Sequence, residues 1–197
     1  QFAAAEEAHV FTQSGGNLSF EAASYRYANG RYYMVCSTFQ YFPGVALFES
    51  DDLVNFEQIG YVLTRENQVM LHDINSSGGV FAPTIRYNNG RFYMVTTNDT
   101  THQNFYVYTD DIYGEWSDPI FVDQGGIDPS LYFEDGKTFF ISNGEDDYGE
   151  GGVVQCEIDI ESGKKLSIIA QNRFRQPIAD LKALLDSGIA GPVRSAQ

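Results

Sequence analysis

The sequence predicts an all-β chain that forms an incomplete β-propeller, and its internal repeats are the first observation. Residues 24–35 (SYRYANGRYYMV) and residues 84–95 (TIRYNNGRFYMV) match without a gap. A third segment, residues 130–141 (SLYFEDGKTFFI), aligns with both at its glycine, Gly136. Two further short strand patterns follow each segment, and four-stranded units that recur roughly every 45 to 60 residues are typical of β-propellers.

Each repeat contains a turn signal between two strands. The signals are Asn29-Gly30, Asn89-Gly90 and Asp135-Gly136. Such pairs tolerate positive φ, which the tight turn of a right-twisted hairpin requires. The sequence therefore predicts three antiparallel blades, over about residues 18–63, 80–123 and 127–170.

We predict a partial propeller domain over residues 1–170, followed by a C-terminal amphipathic helix and tail over residues 171–197. A proline, Pro177, begins the helical pattern and Gly188 ends it, with apolar residues at helical spacing between them. A β-sandwich is the alternative fold. In-register repeats argue against it, because a sandwich does not need them.

The formal net charge of −15 excludes some classes of partner. Nucleic acid and anionic membrane surfaces bind clustered Lys and Arg, so neither is expected as a partner. A neutral ligand such as a sugar is compatible with this charge. The apolar runs are much shorter than the roughly 20 residues of a membrane-spanning helix.

Two cysteines, Cys36 and Cys156, lie within apolar strand patterns. Buried thiols are the simplest interpretation, and they fit a reducing compartment. The first ten residues, QFAAAEEAHV, show no signal-peptide pattern, although a processed precursor would look the same. The expected location is therefore cytoplasmic.

Four segments stand out, residues 37–45 (STFQYFPGV), 52–60 (DLVNFEQIG), 77–87 (SGGVFAPTIRY) and 127–131 (IDPSL). Together they resemble glycoside hydrolase family 43, and specifically its β-xylosidase/α-L-arabinofuranosidase branch. The resemblance covers about residues 20–166 and implies a propeller. It also implies hydrolysis of xylo- or arabino-configured sugars with inversion, and hence a pentose-containing oligosaccharide as the substrate.

The resemblance implies five blades, whereas this sequence supplies three. An open arc of blades leaves sheet edges and an apolar wall exposed, which proteins in water avoid. We therefore expect a homo-oligomer in which a second copy completes the ring. The alternative is that the C-terminal helix covers one exposed face.

Candidate catalytic carboxylates follow from the resemblance. Asp128 matches the carboxylate that orients the general acid and tunes its pKa. The simpler interpretation is an Asp that caps a turn before Pro129. When the first repeat is aligned with the third, Ala22 occupies the position expected for the general base, and Glu21 lies one residue earlier. Glu21 is the candidate base if a bulge corrects its direction, and otherwise a solvated glutamate.

The general acid of the family is a Glu followed by Gly-Pro or Ala-Pro, and this sequence contains none. Because general acid catalysis contributes about 10²- to 10⁴-fold in rate, activity should be weak or should depend on oligomerisation. An acidic loop that contains Glu145 and Glu150 is interpreted as solvated. In a closed dimer it could approach the pocket of the partner.

The sequence favours sugar binding more strongly than catalysis. Phe39, Phe42 and Phe81 match aromatic positions that line the pocket of the family, although blade core is the alternative for all three. Arg26 and Arg86 occupy equivalent repeat positions, which favours a structural role. The histidines have no ligand spacing, so neither a metal site nor a cofactor is expected.

Three hypotheses about function result. The first is a family 43-like glycosidase whose site combines Asp128, Glu21 and the three Phe side chains. The second is a catalytically inactive carbohydrate-binding or scaffold propeller. The third is a truncated product with no stable role.

Overall fold

The computed structural model describes residues 10–11, 23–146 and 149–169. In these ranges the chain forms antiparallel β-sheets, and none of its helices is long and apolar enough to span a membrane. Glu21 and the predicted C-terminal helix lie outside the described residues. The predicted domain bounds stay a prediction.

The strands form three sheets in chain order, which we number as blades. Blade 1 contains β1 (Val10–Phe11), β2 (Ala23–Ala28), β3 (Arg31–Cys36), β4 (Gly44–Ser50) and β5 (Glu57–Leu63). Blade 2 contains β6 (Thr84–Asn88), β7 (Arg91–Asn98), β8 (Gln103–Thr109) and β9 (Ile120–Val122). Blade 3 contains β10 (Ile127–Glu134), β11 (Lys137–Glu145), β12 (Gly151–Ile158) and β13 (Lys165–Ile169). The sequence pattern did not predict β1, which pairs with β2.

The hairpin turns form where the sequence predicts them. Asn29 and Gly30 have φ of 51° and 82°, and Asp135 and Gly136 have φ of 49° and 75°. Positive φ at both central residues is the geometry of a tight hairpin turn. We call the end of the blades that carries these turns the turn end. The opposite end, where β2, β6 and β10 begin, is the head end.

The three blades are arranged radially, with β6 beside both β2 and β10. One apolar core fills the first junction, between blades 1 and 2, where Tyr33 meets Phe92 edge-on at 5.2 Å between ring centroids. A second core fills the second junction, between blades 2 and 3, and includes Tyr106, Leu131 and Phe140. The predicted class, a partial propeller of four-stranded antiparallel blades, is confirmed.

A polar cluster closes the first junction at the turn end. The hydroxyl of Tyr113, in the β8–β9 loop, donates to Glu49 Oε2 at 2.6 Å. Arg31 pairs with Glu49 and, at 3.1 Å, with Asp51. The Tyr113 hydrogen bond and the Arg31 charge hold the pKa of Glu49 below its usual value. The loop of blade 2 is therefore fixed to blade 1.

We expect Tyr113→Phe to lower the free energy of unfolding at pH 7. The difference in this free energy between the variant and the wild type should become smaller in acid. Because the pKa of Glu49 is depressed in the folded chain, its contribution is present above the unfolded pKa of about 4.3 and is lost as the pH falls below it. Urea midpoints at pH 7 and about pH 3 measure the effect. Tyr41→Phe, a change at a residue that is 69% exposed, is the control. A difference that does not change with pH would contradict this account.

Candidate functional site

Asp128 lies at the head end of blade 3, in an irregular start of β10. Ile127 pairs with Asn143 and Ser130 pairs with Ile141, so β10 carries one extra residue relative to β11. Asp128 has φ of 53° and is exposed. Bulges of this kind redirect a side chain and are common beside active sites. The Asp128 carboxylate is therefore set apart from the regular strand.

The loop before Asp128 packs closely against β11. A Cβ added at Gly126 would lie 2.5 Å from the Asn143 carbonyl oxygen, and φ of Gly126 is 97°. The Ser142 hydroxyl donates to the Gly125 carbonyl at 2.8 Å. Only glycine fits at position 126, which fixes the path of the chain into Asp128.

A buried asparagine, Asn104 of β8, holds the same loop from blade 2. Its Nδ2 donates to the carbonyl oxygens of Gln124 at 2.8 Å and Gly126 at 3.2 Å. Its Oδ1 accepts from Thr97 Oγ1 at 2.6 Å. Asn104 carries no sequence signal, because the equivalent residue of blade 1 is Val45 and no repeat marks the position.

We expect Asn104→Ala to destabilise the chain by about 2 kcal/mol, because one buried and one part-buried carbonyl group lose their donor. Hydrogen exchange at Gly126 and Ile127 should become faster than elsewhere in blade 3. Asn98→Ala is the matched control, since Asn98 is also buried in blade 2 but its side chain accepts from the Thr100 amide. Equal exchange at the Asp128 loop in both variants would contradict the assigned role.

Phe39 and Phe81 form a pair at the head end of the first junction. Their ring centroids are 6.4 Å apart with an interplanar angle of 70°. The Val80 amide donates to the Phe39 carbonyl at 3.0 Å, and the Phe81 amide donates to the Thr97 carbonyl at 2.9 Å. Because Thr97 also bonds Asn104, a continuous hydrogen-bond path connects the backbone of Phe81 to the Asp128 loop.

Phe42 extends from the β3–β4 loop at the same end. The Phe42–Pro43 peptide bond is cis, and Phe42 is 46% exposed. Phe39 and Phe81 are half-buried, and none of the three rings belongs to either buried core. The β3–β4 loop is tied to the following chain segment by Gln40, whose Oε1 accepts from the Ser77 amide at 3.1 Å.

Two side chains of β6 reach across to the free edge of β10. Thr84 Oγ1 donates to the Pro129 carbonyl at 2.8 Å. Arg86 donates from Nε to the Leu131 carbonyl at 3.1 Å and from Nη2 to Ser130 Oγ at 2.7 Å. Burial, with the nearby charge of Arg26, lowers the pKa of Arg86 to about 10. The strand that carries Asp128 is thus anchored to blade 2.

The acidic loop after β11 also lies at the head end. The Asp146 carboxylate accepts from the Glu150 amide at 3.0 Å, and the Glu145 and Glu150 side chains are exposed. Gln124 Nε2 donates to the Glu145 carbonyl at 3.3 Å, so the loop borders the segment that leads to Asp128. Among residues 23–146 and 149–169, no three His, Cys, Asp or Glu side chains cluster as metal ligands.

The structure thus brings Phe39 and Phe81 into contact and places Phe42 and Asp128 at the same end of the blades. A site at this end would be open, with one carboxylate on a bulge and aromatic rings at the neighbouring junction. Such a combination can bind a sugar through ring stacking and hydrogen bonds.

Comparison with known proteins gives a consistent result. Residues 18–177 match the glycosyl hydrolases family 43. A xylosidase/arabinosidase of Butyrivibrio fibrisolvens is 44% identical over 142 residues, which cover 68% of this chain and 27% of that protein. A non-reducing end α-L-arabinofuranosidase of Bacteroides ovatus is 44% identical over 115 residues, covering 56% of this chain and 22% of the relative.

Solved structures agree with the sequence relatives. A family 43 protein from a xyloglucan utilisation locus of Bacteroides ovatus superposes with a TM-score of 0.67 at 37% identity, over 74% of this chain and 29% of that one. A family 43 protein from a capybara gut metagenome gives a TM-score of 0.69 at 37% identity, over 77% and 31%. The chain spans about a quarter of the length of the curated relatives named above. The chain belongs to glycosyl hydrolase family 43.

Proposed function

We propose that this chain belongs to a glycoside hydrolase that cleaves xylo- or arabino-configured sugars with inversion. The observation that carries the proposal is the placement of Asp128 on a bulge at the head end, joined by hydrogen bonds to the segment that bears Phe81. The names of the relatives, xylosidase/arabinosidase and α-L-arabinofuranosidase, support pentose-containing substrates.

Inverting hydrolysis needs a general acid and a general base roughly 6.5–9.5 Å apart, with water between the base and the sugar. We assign Asp128 to orient the acid and to tune its pKa, and Glu21 to the base. Phe39, Phe42 and Phe81 would hold the sugar. Because the sequence has no Glu before Gly-Pro or Ala-Pro, this chain alone should turn over slowly.

The test is release of nitrophenol from aryl β-xylosides and aryl α-L-arabinofuranosides. We expect Asp128→Asn to lower turnover by about 100-fold or more, because a neutral amide cannot tune the acid. Asp51→Asn is the matched control, since it makes the same chemical change at an exposed residue of the turn end of blade 1. Equal turnover in the Asp128 and Asp51 variants would contradict the proposal.

We further propose that a second copy of the chain completes the ring. The outer faces of blades 1 and 3 expose large apolar side chains, Tyr27 and Tyr61 on the first and Tyr132 and Val153 on the second. Each of these four residues pairs across its sheet with a residue that belongs to neither apolar core. Because cross-strand partners share a face, all four lie on the faces that point away from blade 2. Sedimentation should give a dimer at micromolar concentration, and a monomer would contradict ring completion.

A second candidate function is carbohydrate binding without turnover. The paired rings of Phe39 and Phe81 favour it, because such rings can hold a sugar without any catalytic group. Calorimetry would measure the binding of xylo-oligosaccharides. Binding without hydrolysis, both in the single chain and in its assembly, would support this candidate over a glycoside hydrolase.

We also propose a cytoplasmic location. Cys36 and Cys156 are buried in different blades, and burial raises the pKa of the Cys36 thiol to about 12. Thiols of this kind suit a reducing compartment. Recovery of the protein in a periplasmic or secreted fraction would contradict the proposal.

A further inference from the structure

A cleft opens in the second junction at the turn end, far from Asp128 along the blades. It encloses about 680 Å³, within the range of small-molecule sites. Its rim carries Asn88 and Asn89 from blade 2, and Glu134, Asp135 and Lys137 from blade 3. The first junction offers a direct comparison, because the same repeat builds both.

Among the described residues, one contact that closes the first junction has no counterpart in the second. At the first junction, the Tyr87 hydroxyl of blade 2 donates to Asn29 Oδ1 of blade 1 at 3.2 Å. The repeat places Phe133 and Asn89 at the equivalent positions of the second junction. Phe133 has no hydroxyl, so the Asn89 amide faces the cleft instead of a tyrosine.

The other closing contact is replaced as well. The Asp111 carboxylate accepts from the Tyr113 amide at 3.1 Å, and Tyr113 then crosses the first junction to Glu49. In blade 3, Asp159 accepts from the Glu161 amide at 3.0 Å, so Glu161 occupies the place of Tyr113. Burial raises the pKa of Tyr93, and the nearby Glu161 charge raises it too. A shorter, charged side chain therefore stands where Tyr113 crosses the first junction.

The lining of the cleft suits a neutral, polyhydroxylated ligand. Its cations are already paired, Arg91 with Asp110 at 2.6 Å and Lys137 with Glu157 at 3.2 Å. The net charge of −15 and the rim carboxylates disfavour anions. Asparagine amides and carboxylates at the rim donate and accept hydrogen bonds. The rings of Tyr93 and Phe133, 5.1 Å apart, supply an apolar floor.

We propose that this cleft is a second carbohydrate-binding site, which holds a part of the oligosaccharide away from the head end. The choice of ligand rests on the proposed function, whereas the cleft itself rests on the loss of both closing contacts. Binding there would keep a polymeric substrate attached to the protein between encounters at the head end.

The test uses the full chain, xylotetraose as the probe, and a double variant that rebuilds the first junction. Phe133→Tyr with Glu161→Tyr restores both closing side chains. We expect calorimetry to show two sites in the wild type, of which the double variant weakens one by about tenfold or more. Xylotetraose should slow hydrogen exchange at Asn89 and Asp135 in the wild type and not in the double variant.

Val54→Tyr is the matched control. Val54 occupies the same turn position in blade 1, where its amide donates to the Asp52 carboxylate at 2.8 Å and its side chain is exposed. This variant should retain both sites.

Phe81→Ala separates this inference from the proposed function. If it abolishes the remaining site of the double variant, the cleft and the head end both bind sugar. If it has no effect while the double variant abolishes all binding, the cleft stands and the head-end site fails. Unchanged exchange at Asn89 and Asp135 with xylotetraose would overturn the cleft site.

Discussion

Tyr106→Ala is expected to destabilise the chain by about 4 kcal/mol, which is typical of removing a fully buried aromatic ring. Tyr106 of β8 is 0% exposed and belongs to the core of the second junction. Its hydroxyl donates to the Ile160 carbonyl of blade 3 at 2.5 Å. The side chain therefore stabilises the junction by both packing and a hydrogen bond.

The two contributions can be separated by substitution. Tyr106→Phe keeps the ring and leaves the Ile160 carbonyl without this donor, so we expect a loss of about 1–2 kcal/mol. Urea unfolding with an unchanged m-value measures both variants. If Tyr106→Phe cost as much as Tyr106→Ala, the hydrogen bond and not the packing would dominate.

The adjacent residue supplies a matched control. Phe105 is equally buried, but it faces the first junction. Phe105→Ala should cost a similar free energy and increase hydrogen exchange in blades 1 and 2, whereas Tyr106→Ala should increase it in blades 2 and 3. Identical exchange patterns would show that the two junctions do not act as separate packing units.

Phe105 and Tyr106 are neighbours in β8 and pack on opposite faces of the blade. This alternation shows why the blades could be predicted from the sequence. A strand with both faces buried and an Asn-Gly or Asp-Gly turn are local signals, and the recurrence of the same segment three times reinforces them. The three hairpin turns therefore form at the positions that the sequence predicts. The short β1 carried no such signal, because its pairing with β2 is set by the fold and not by its own two residues.

The candidate site was predictable only in part. The predicted bounds of the third blade put Asp128 at its start, but they did not indicate the extra residue that redirects its side chain. The Asn104 bonds to Gln124 and Gly126 also had no sequence signal, because they depend on the approach of separate chain segments. The Phe39–Phe81 pair likewise forms between blades. Each Phe was matched separately to an aromatic position of the family, and this match did not predict that the two rings are in contact.

Arg86→Ala is expected to destabilise the chain by about 3 kcal/mol, because three hydrogen-bond acceptors lose the donor that Arg86 provides. Arg86 donates to Leu131 O and Ser130 Oγ of β10, and to Ile85 O of its own strand at 2.8 Å. Among the described strands β10 lies at the edge of its sheet, so no neighbouring strand replaces these donors. Each buried acceptor left unpaired costs about 1–3 kcal/mol.

A second effect opposes this loss of stability. The variant also removes a positive charge from a partly desolvated position, and this removal by itself stabilises the fold. The lowered pKa of Arg86 reflects that burial and the neighbouring charge of Arg26. The opposing effect should be the smaller one, since removing one partner from a buried polar network is usually more costly than the charge burial it relieves.

Two variants decide between these effects. Arg86→Lys keeps the charge but cannot donate through a planar fork to two groups, so it should recover only part of the stability. Lys137→Ala, which removes an exposed ion pair with Glu157, should cost less than about 1 kcal/mol. If Arg86→Ala were as stable as the wild type in urea, charge burial would dominate. The anchoring of the Asp128 strand would then depend on Thr84 and its bond to the Pro129 carbonyl.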